Sequence, residues 1–409
     1  MRIACRLFVS SSLALVLLLQ WVAPVRAAWP TDPAVNVPLC TMSDDQSFPA
    51  MAPDSSGGAI VTWQDGRAGA GCLIYAQRVD AAGVARWAAD GVAISAVTNV
   101  SYYPAIASDG AGGAIITWQD LRNGNYDIFA QRVNASGSIQ WTTWGTTLCS
   151  AAGEQSWPDI VADGSGGAIV TWIDFRSGTS KVYAQRVNAL GVVQWPANGV
   201  ALRPGTNKQV SPHLVSDGAG GAVIAWTDYD PAASPIDPNI YAQRVSAAGA
   251  LQWTASGVAL CTAPGYQIMP VIAPDASGGA IVAWQDSRSG ATDVYAQRVN
   301  SSGIVQWTAD GAPLCTLAND QTVTDILPDG AGGAIATWYD SRVDGMDYDI
   351  YAQRVNGAAL RCGRRMAWCS APPPTVGSGR RSSRTVWAAP SLPGVTSVAA
   401  ANTTCTRSG

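Results

Sequence analysis

Of the 409 residues, one is histidine (His213), one is glutamate (Glu154) and two are lysine (Lys181 and Lys208). A Ser-His-Asp triad, or a metal site built on several histidines, has almost nothing to be assembled from. Charged residues make up only 13% of the chain, too few for a coiled coil. Hydrophobic residues make up 47%, too many for a disordered chain. Beyond an apolar run at residues 7–19, no segment has helical periodicity. What abounds is 42 Gly, 24 Pro and 17 Trp, the residues of tight turns and large buried rings.

The formal net charge of −4 hides three different parts. Residues 1–27 carry three Arg and no acid. Residues 28–360 hold 15 Lys and Arg against all 29 acids, a net −14. Residues 361–409 carry seven Arg and no acid, a net +7. The acidic body argues against nucleic acid as the partner, because phosphate binding needs a basic face. Residues 1–27 read as a signal peptide: Arg2 and Arg6, then the apolar run, then the small-x-small Val25-Arg26-Ala27. The run is shorter than the ~20 residues of a membrane span, so an exported chain with no span after cleavage is expected, secreted or held at the cell surface. In that oxidising setting the cysteines matter. Cys40, Cys149, Cys261 and Cys315 fall at one repeated position that Ile94 and Leu202 fill in other copies, which points to buried free thiols. Cys40 with Cys72 is the one pairing within a repeat that would make a disulfide.

A phrase of about 54 residues recurs six times. It reads D-x-x-G-G-A-[IV]-[IV]-[TA]-W-x-D-x-R, then Y-A-Q-R-V-[ND] in most copies, then G and Q-W. It starts at Asp54, Asp109, Asp163, Asp217, Asp275 and Asp329. One tryptophan series is Trp63, Trp118, Trp172, Trp226, Trp284 and Trp338; a second is Trp29, Trp87, Trp141, Trp195, Trp253 and Trp307. Each copy reads as four short strands that are apolar on both faces. Such a sheet cannot bury two faces alone, so the copies must stack. An all-β fold follows, a β-propeller of six recognisable four-stranded repeats over residues 28–360, seven or more in an intact gene. An open solenoid is the alternative. The 29–40 segment matches the outer-strand segment at 307–315, so it is expected to close the ring on the last blade.

At 274–299 (PDASGGAIVAWQDSRSGATDVYAQRV) the chain resembles the TolB-type, WD-like propeller repeats of bacterial proteins. The shared elements are P-D-x-x-G, an apolar strand, D-x-R-x-G and D-[IV]-Y. The resemblance covers most of residues 50–355 and implies the fold, with no particular activity.

The pattern stops abruptly in the basic tail at 361–409. Taking the third base of each codon with the first two of the next, with GC-rich synonyms, restores it. Cys362-Gly363 becomes Trp, residues 363–373 continue as QANGVVLCTA, 382–394 give VSDGVGGAIATW and 403–409 give DVYAQR. Met366 and Trp387 each force Gly in that frame, and Trp368 forces Val. We expect a frameshift between residues 355 and 362 and a displaced seventh repeat beyond it. A degenerate cap and a basic arm are the other readings.

Ligands of propellers usually meet the face that carries the loop between second and third strands. Here that loop is W-x-D-x-R. A ring of Arg67, Arg122, Arg176, Arg288 and Arg342 would grip anions, unless each arginine pairs with its own loop aspartate. Copy 4 breaks the symmetry: Asp228 is kept, Asp230 replaces the arginine, the loop lengthens, and His213 lies upstream. Copy 6 places Asp340, Asp344, Asp347 and Asp349 within ten residues, oxygen ligands for Ca²⁺; no other cofactor is called for. The expected function is a monomeric, non-enzymatic scaffold binding a protein or glycan on the loop face. The alternative is a carbohydrate-active hydrolase or lyase using loop aspartates.

Overall fold

The computed structural model describes residues 29–362 except 31, 33, 68, 70, 96–99, 231–236, 344–346 and 360. The expected signal peptide, the tail beyond 362, Asp344 and the long loop at 231–236 lie outside the described residues.

Six four-stranded antiparallel sheets follow one another along the chain. Blade 1 runs Gln46–Pro53, Ala59–Asp65, Leu73–Val79 and Val92–Ala93, from the innermost strand outward. The innermost strands of blades 2 to 6 are Ser101–Ser108, Gln155–Ala162, Lys208–Ser216, Gln267–Pro274 and Gln321–Pro328. They pack side by side in that order and together line one central channel. The protein is an all-β propeller. No described helix is long and apolar enough to cross a membrane.

The two-faced apolar strands explain the stacking. Every residue of Ala114–Asp120, Ala168–Asp174 and Ala280–Asp286 is buried. The cores lie between blades rather than within them: Ile60 and Ile74 of blade 1 pack with Ile116 and Trp118 of blade 2. Each such side chain contributes about 1.5–3 kcal/mol when fully buried. The aspartate that opens each repeat ties the first turn. Asp109 Oδ1 accepts the Ala111 and Gly113 amides at 2.8 Å each, and Arg132 Nε donates to Oδ2 at 3.0 Å.

The second tryptophan series staples each blade to the next. Trp253 Nε1 donates to Ser301 O at 3.1 Å, and Trp87 Nε1 to Ala135 O at 3.0 Å. Gly303, at φ 81°, lies so close under Trp253 that a Cβ would sit 2.7 Å from the ring. The arginine of Q-R-V makes the same crossing: Arg244 Nη1 donates to Ser301 O at 3.0 Å.

Among the described residues Cys40, Cys72, Cys149, Cys261 and Cys315 are thiols outside any disulfide, so the Cys40–Cys72 pairing does not form. Burial pushes Cys149 and Cys261 up to about 12. These two should resist iodoacetamide in the folded protein at pH 8 and react on unfolding in urea, as mass spectrometry of the labelled peptides would show.

The 29–40 segment does not close blade 6. The fourth strand there is Arg361–Cys362, paired with Arg354 and Val355. The segment instead docks on blade 1, where Trp29 Nε1 donates to Ala81 O at 3.1 Å. The reason is that among the described residues the sixth innermost strand does not pack on the first as the others do on their neighbours, so blade 6 is not brought round to it.

Candidate ligand channel

The W-x-D-x-R loops carry the arginines of the expected ring. In blade 1, Arg67 Nε donates to Asp65 Oδ1 at 2.7 Å and Nη2 to Asp65 Oδ2 at 2.6 Å. The guanidinium lies 3.9 Å over the Tyr75 ring, which in turn stacks on Trp63 at 6.4 Å. Trp63 Nε1 closes the cluster by donating to Asp65 at 2.7 Å. Burial alone would raise the Asp65 pKa, but the hydrogen bonds from Arg67 and Trp63 outweigh it and hold it below the ordinary range. Arg122, Arg176, Arg288 and Arg342 repeat the arrangement. In blade 4 the partner comes from another segment. Arg203 approaches Asp228 at 3.4 Å and covers Tyr241 at 4.2 Å. The arginines thus spend their forks inside the blades.

The channel is built by a different part of the repeat, the innermost strand, which carries a [QS]-x-x-P phrase in blades 1 to 5. In blades 1 to 5 two residues of that strand oppose one on the neighbouring strand, a β-bulge. The first bulged residue has a left-handed backbone: Phe48 at φ 50°, Tyr103 at 52°, Trp157 at 56°, Ser211 at 53° and Met269 at 53°. Non-glycine residues in that region cost about 1–3 kcal/mol each, so the surroundings must hold them. They do: the Tyr103 amide donates to Gln64 Oε1 at 2.6 Å and the Trp157 amide to Gln119 Oε1 at 3.0 Å, each from the preceding blade. In blade 6 Val323 and Thr324 take the places of the left-handed residue and the proline, and the irregularity shifts.

The bulge turns these side chains to the channel mouth on the loop face. Phe48 meets Tyr103 edge-on at 5.2 Å, and Tyr103 stacks on Trp157 at 4.1 Å. Three adjacent blades therefore present one aromatic arc, with Trp157 47% exposed. The channel has a volume of about 1000 Å³.

Two residues further along the same strands stand the ionisable groups. His213 Nδ1 lies 3.2 Å from Asp159 Oδ2, and Asp325 acts on His213 electrostatically from blade 6. Desolvation opposes charging of the imidazole, but the Asp159 hydrogen bond and the charges of Asp159 and Asp325 outweigh it and raise the His213 pKa above 6.5. Burial raises the Asp325 pKa against the Ile326 amide and the His213 charge. As the only histidine, His213 gives a single pair of imidazole NMR signals. Their titration should fall above pH 6.5 and move down in Asp159→Asn. A raised histidine stabilises the fold fully below its unfolded value and loses that contribution as pH climbs through the folded one. With the ring 42% exposed, the size is that of a surface pair, about 0.2–1 kcal/mol.

Of the residues singled out in the sequence, His213 lines the channel; Asp228 sits buried under Arg203. Asp230 is exposed and does not line it. Asp340 is engaged by Arg342 and by Trp338 Nε1 at 2.9 Å; Asp347 and Asp349 are exposed. Among the described residues no three His, Cys, Asp or Glu side chains converge as a metal site. Phe48, Tyr103, Trp157, Asp159 and Asp325 were not singled out. Their signal was variability: the positions flanking the proline change from copy to copy while the rest of the repeat stays constant.

No protein-family model matches the chain, and no curated protein does. Among solved structures, a polysaccharide lyase described as an ulvan lyase aligns over 78% of this chain and 84% of its own, with 8% identity and a TM-score of 0.47. An α-L-arabinofuranosidase from Fusarium graminearum aligns over 78% and 96%, with 11% identity and a TM-score of 0.38. A structure described as TolB from Agrobacterium tumefaciens aligns over 57% and 73%, with 18% identity and a TM-score of 0.32.

Proposed function

We propose that this propeller binds a neutral saccharide chain at the loop-face mouth of its central channel. The observation that carries this is the arc of Phe48, Tyr103 and Trp157, held by bulges beside two carboxylates and an imidazole. Flat rings take the apolar faces of sugars, and Asp159 and His213 offer acceptors and a donor to hydroxyls. The carboxylates and the acidic body disfavour polyanions. The repeat phrases support a place among TolB-type propellers, and residues 1–27 support export to the cell surface or medium. The test is a glycan array of neutral and acidic oligosaccharides with the wild type and Trp157→Ala. Neutral glycans retained by the wild type and lost by the variant support the reading; signals equal in both, or none, defeat it.

One observation favours turnover as a second reading. Asp325 lines the channel opposite the His213 imidazole, and burial pushes its carboxyl above the ordinary carboxylate range, the direction a general acid needs. Release of reducing ends or unsaturated products from a bound glycan, abolished in Asp325→Asn, would establish it.

A further inference from the structure

We propose that the ring is completed by a seventh blade, with inner strands encoded by the codons of residues 363–409 in the neighbouring frame and an outer strand supplied by residues 29–40. The first ground is an open face on blade 6. Ile335 is 36% exposed and Ile350 58%, whereas their counterparts Ile281 and Val294 in blade 5 are fully buried. Arg354 is 47% exposed, against 18–21% for its counterparts, whose Nη1 groups reach a carbonyl of the next blade. These side chains are built for a successor.

The second ground is the other edge. Residues 29–40 dock on blade 1 as every outer strand docks on its follower. Trp29 reaches the turn carbonyl of Ala81. Arg67 Nη2 donates to Cys40 Sγ at 3.0 Å, as Arg288 does to Cys261. The Thr41 amide donates to Asp90 Oδ1 at 2.8 Å, as Thr262 does to Asp310. Blade 1 thus carries the outer strand of a preceding blade.

The third ground is the codon reading, which supplies the repeat's parts in order: the outer-strand phrase that follows tryptophan in the earlier copies, in place of the Arg361–Cys362 strand, then the glycine turn and the second and third strands of another blade. The hairpin before it already departs from the pattern. Ala359 sits at φ 63°, where the five counterparts are glycine, from Gly83 (φ 79°) to Gly303 (φ 81°). Read in the neighbouring frame, the Ala358-Ala359 codons allow glycine there.

Sequencing the gene tests the codons, and expressing the chain beside a frame-restored version tests the fit. We expect the shifted frame to spell the repeat. The restored chain should melt several degrees higher and bind less of a hydrophobic dye. Ile350→Asp should be silent in the present chain and lower the melting temperature of the restored one. Codons that do not spell the repeat, or a restored chain with unchanged melting and dye binding, would overturn the proposal. So would concentration-dependent dimerisation of the present chain that protects this face, since a second copy would then be its occupant. None of these outcomes depends on saccharide binding.

Discussion

Asp286→Ala should cost about 3–5 kcal/mol in urea unfolding, the loss seen when one partner of a buried ion pair is removed. The Asp286 side chain is wholly buried, while Arg288 keeps 21% exposure. Its two oxygens serve the Trp284 indole, the Arg288 guanidinium and amide, and the Cys261 thiol at once. Oδ2 accepts the Trp284 indole at 2.8 Å, and Oδ1 accepts Arg288 Nε at 2.8 Å and the Arg288 amide at 3.1 Å. Alanine leaves a buried indole N–H without its acceptor and a guanidinium held 4.0 Å over Tyr295 without its counter-charge. The loop then has no reason to keep its turn. Because Cys261 of the preceding blade also reaches this cluster, the damage extends across the blade boundary. Asp230→Ala, at an exposed position of the corresponding loop in blade 4, should stay within about 0.5 kcal/mol. Equal losses for the two variants would show that the buried cluster is not what holds the loops.

The blade architecture was legible because repetition writes it out. Two tryptophan series, a glycine pair and a recurring Asp-Arg phrase each have one structural job that any copy shows: the ring in the core, the turn, the tied loop. The pairing of each arginine with its aspartate was one of two readings, since charges of both signs in equal register fit either a ring or a set of internal pairs. Geometry decides where they point. Arg203 was invisible because it replaces the missing arginine of blade 4 from a segment 25 positions before Asp228, outside the motif. The channel residues were invisible for a related reason. Repeat reading weights what is constant, and a shared channel is lined by what varies. Asp159, His213 and Asp325 occupy one position of the innermost strand, filled by Ala50, Ala105 and Val271 in the other blades. Only the closing of the strands around one axis turns three separate substitutions into a cluster.

Trp157→Ala should weaken saccharide binding by about 10–100-fold, or roughly 1.4–2.8 kcal/mol, with little change in stability. The indole is 47% exposed, so the fold gains little from burying it. Its backbone stays at positive φ whichever L-residue stands there, so the strain is common to both proteins. Tyr103→Ala should weaken binding as well but also destabilise, since its ring is clasped between Phe48 and Trp157. Comparing the two separates a contact surface from a packing element. Titration calorimetry on a retained glycan, with thermal melts of each variant, gives both readouts. If Trp157→Ala binds as well as the wild type while Tyr103→Ala only melts earlier, the arc is packing and the ligand sits elsewhere. If Trp157→Phe restores most of the affinity, the flat ring is what the sugar meets. That result would also account for the strain at the aromatic bulges of blades 1 to 3: turning a large ring into the channel mouth needs a backbone that a regular strand does not provide.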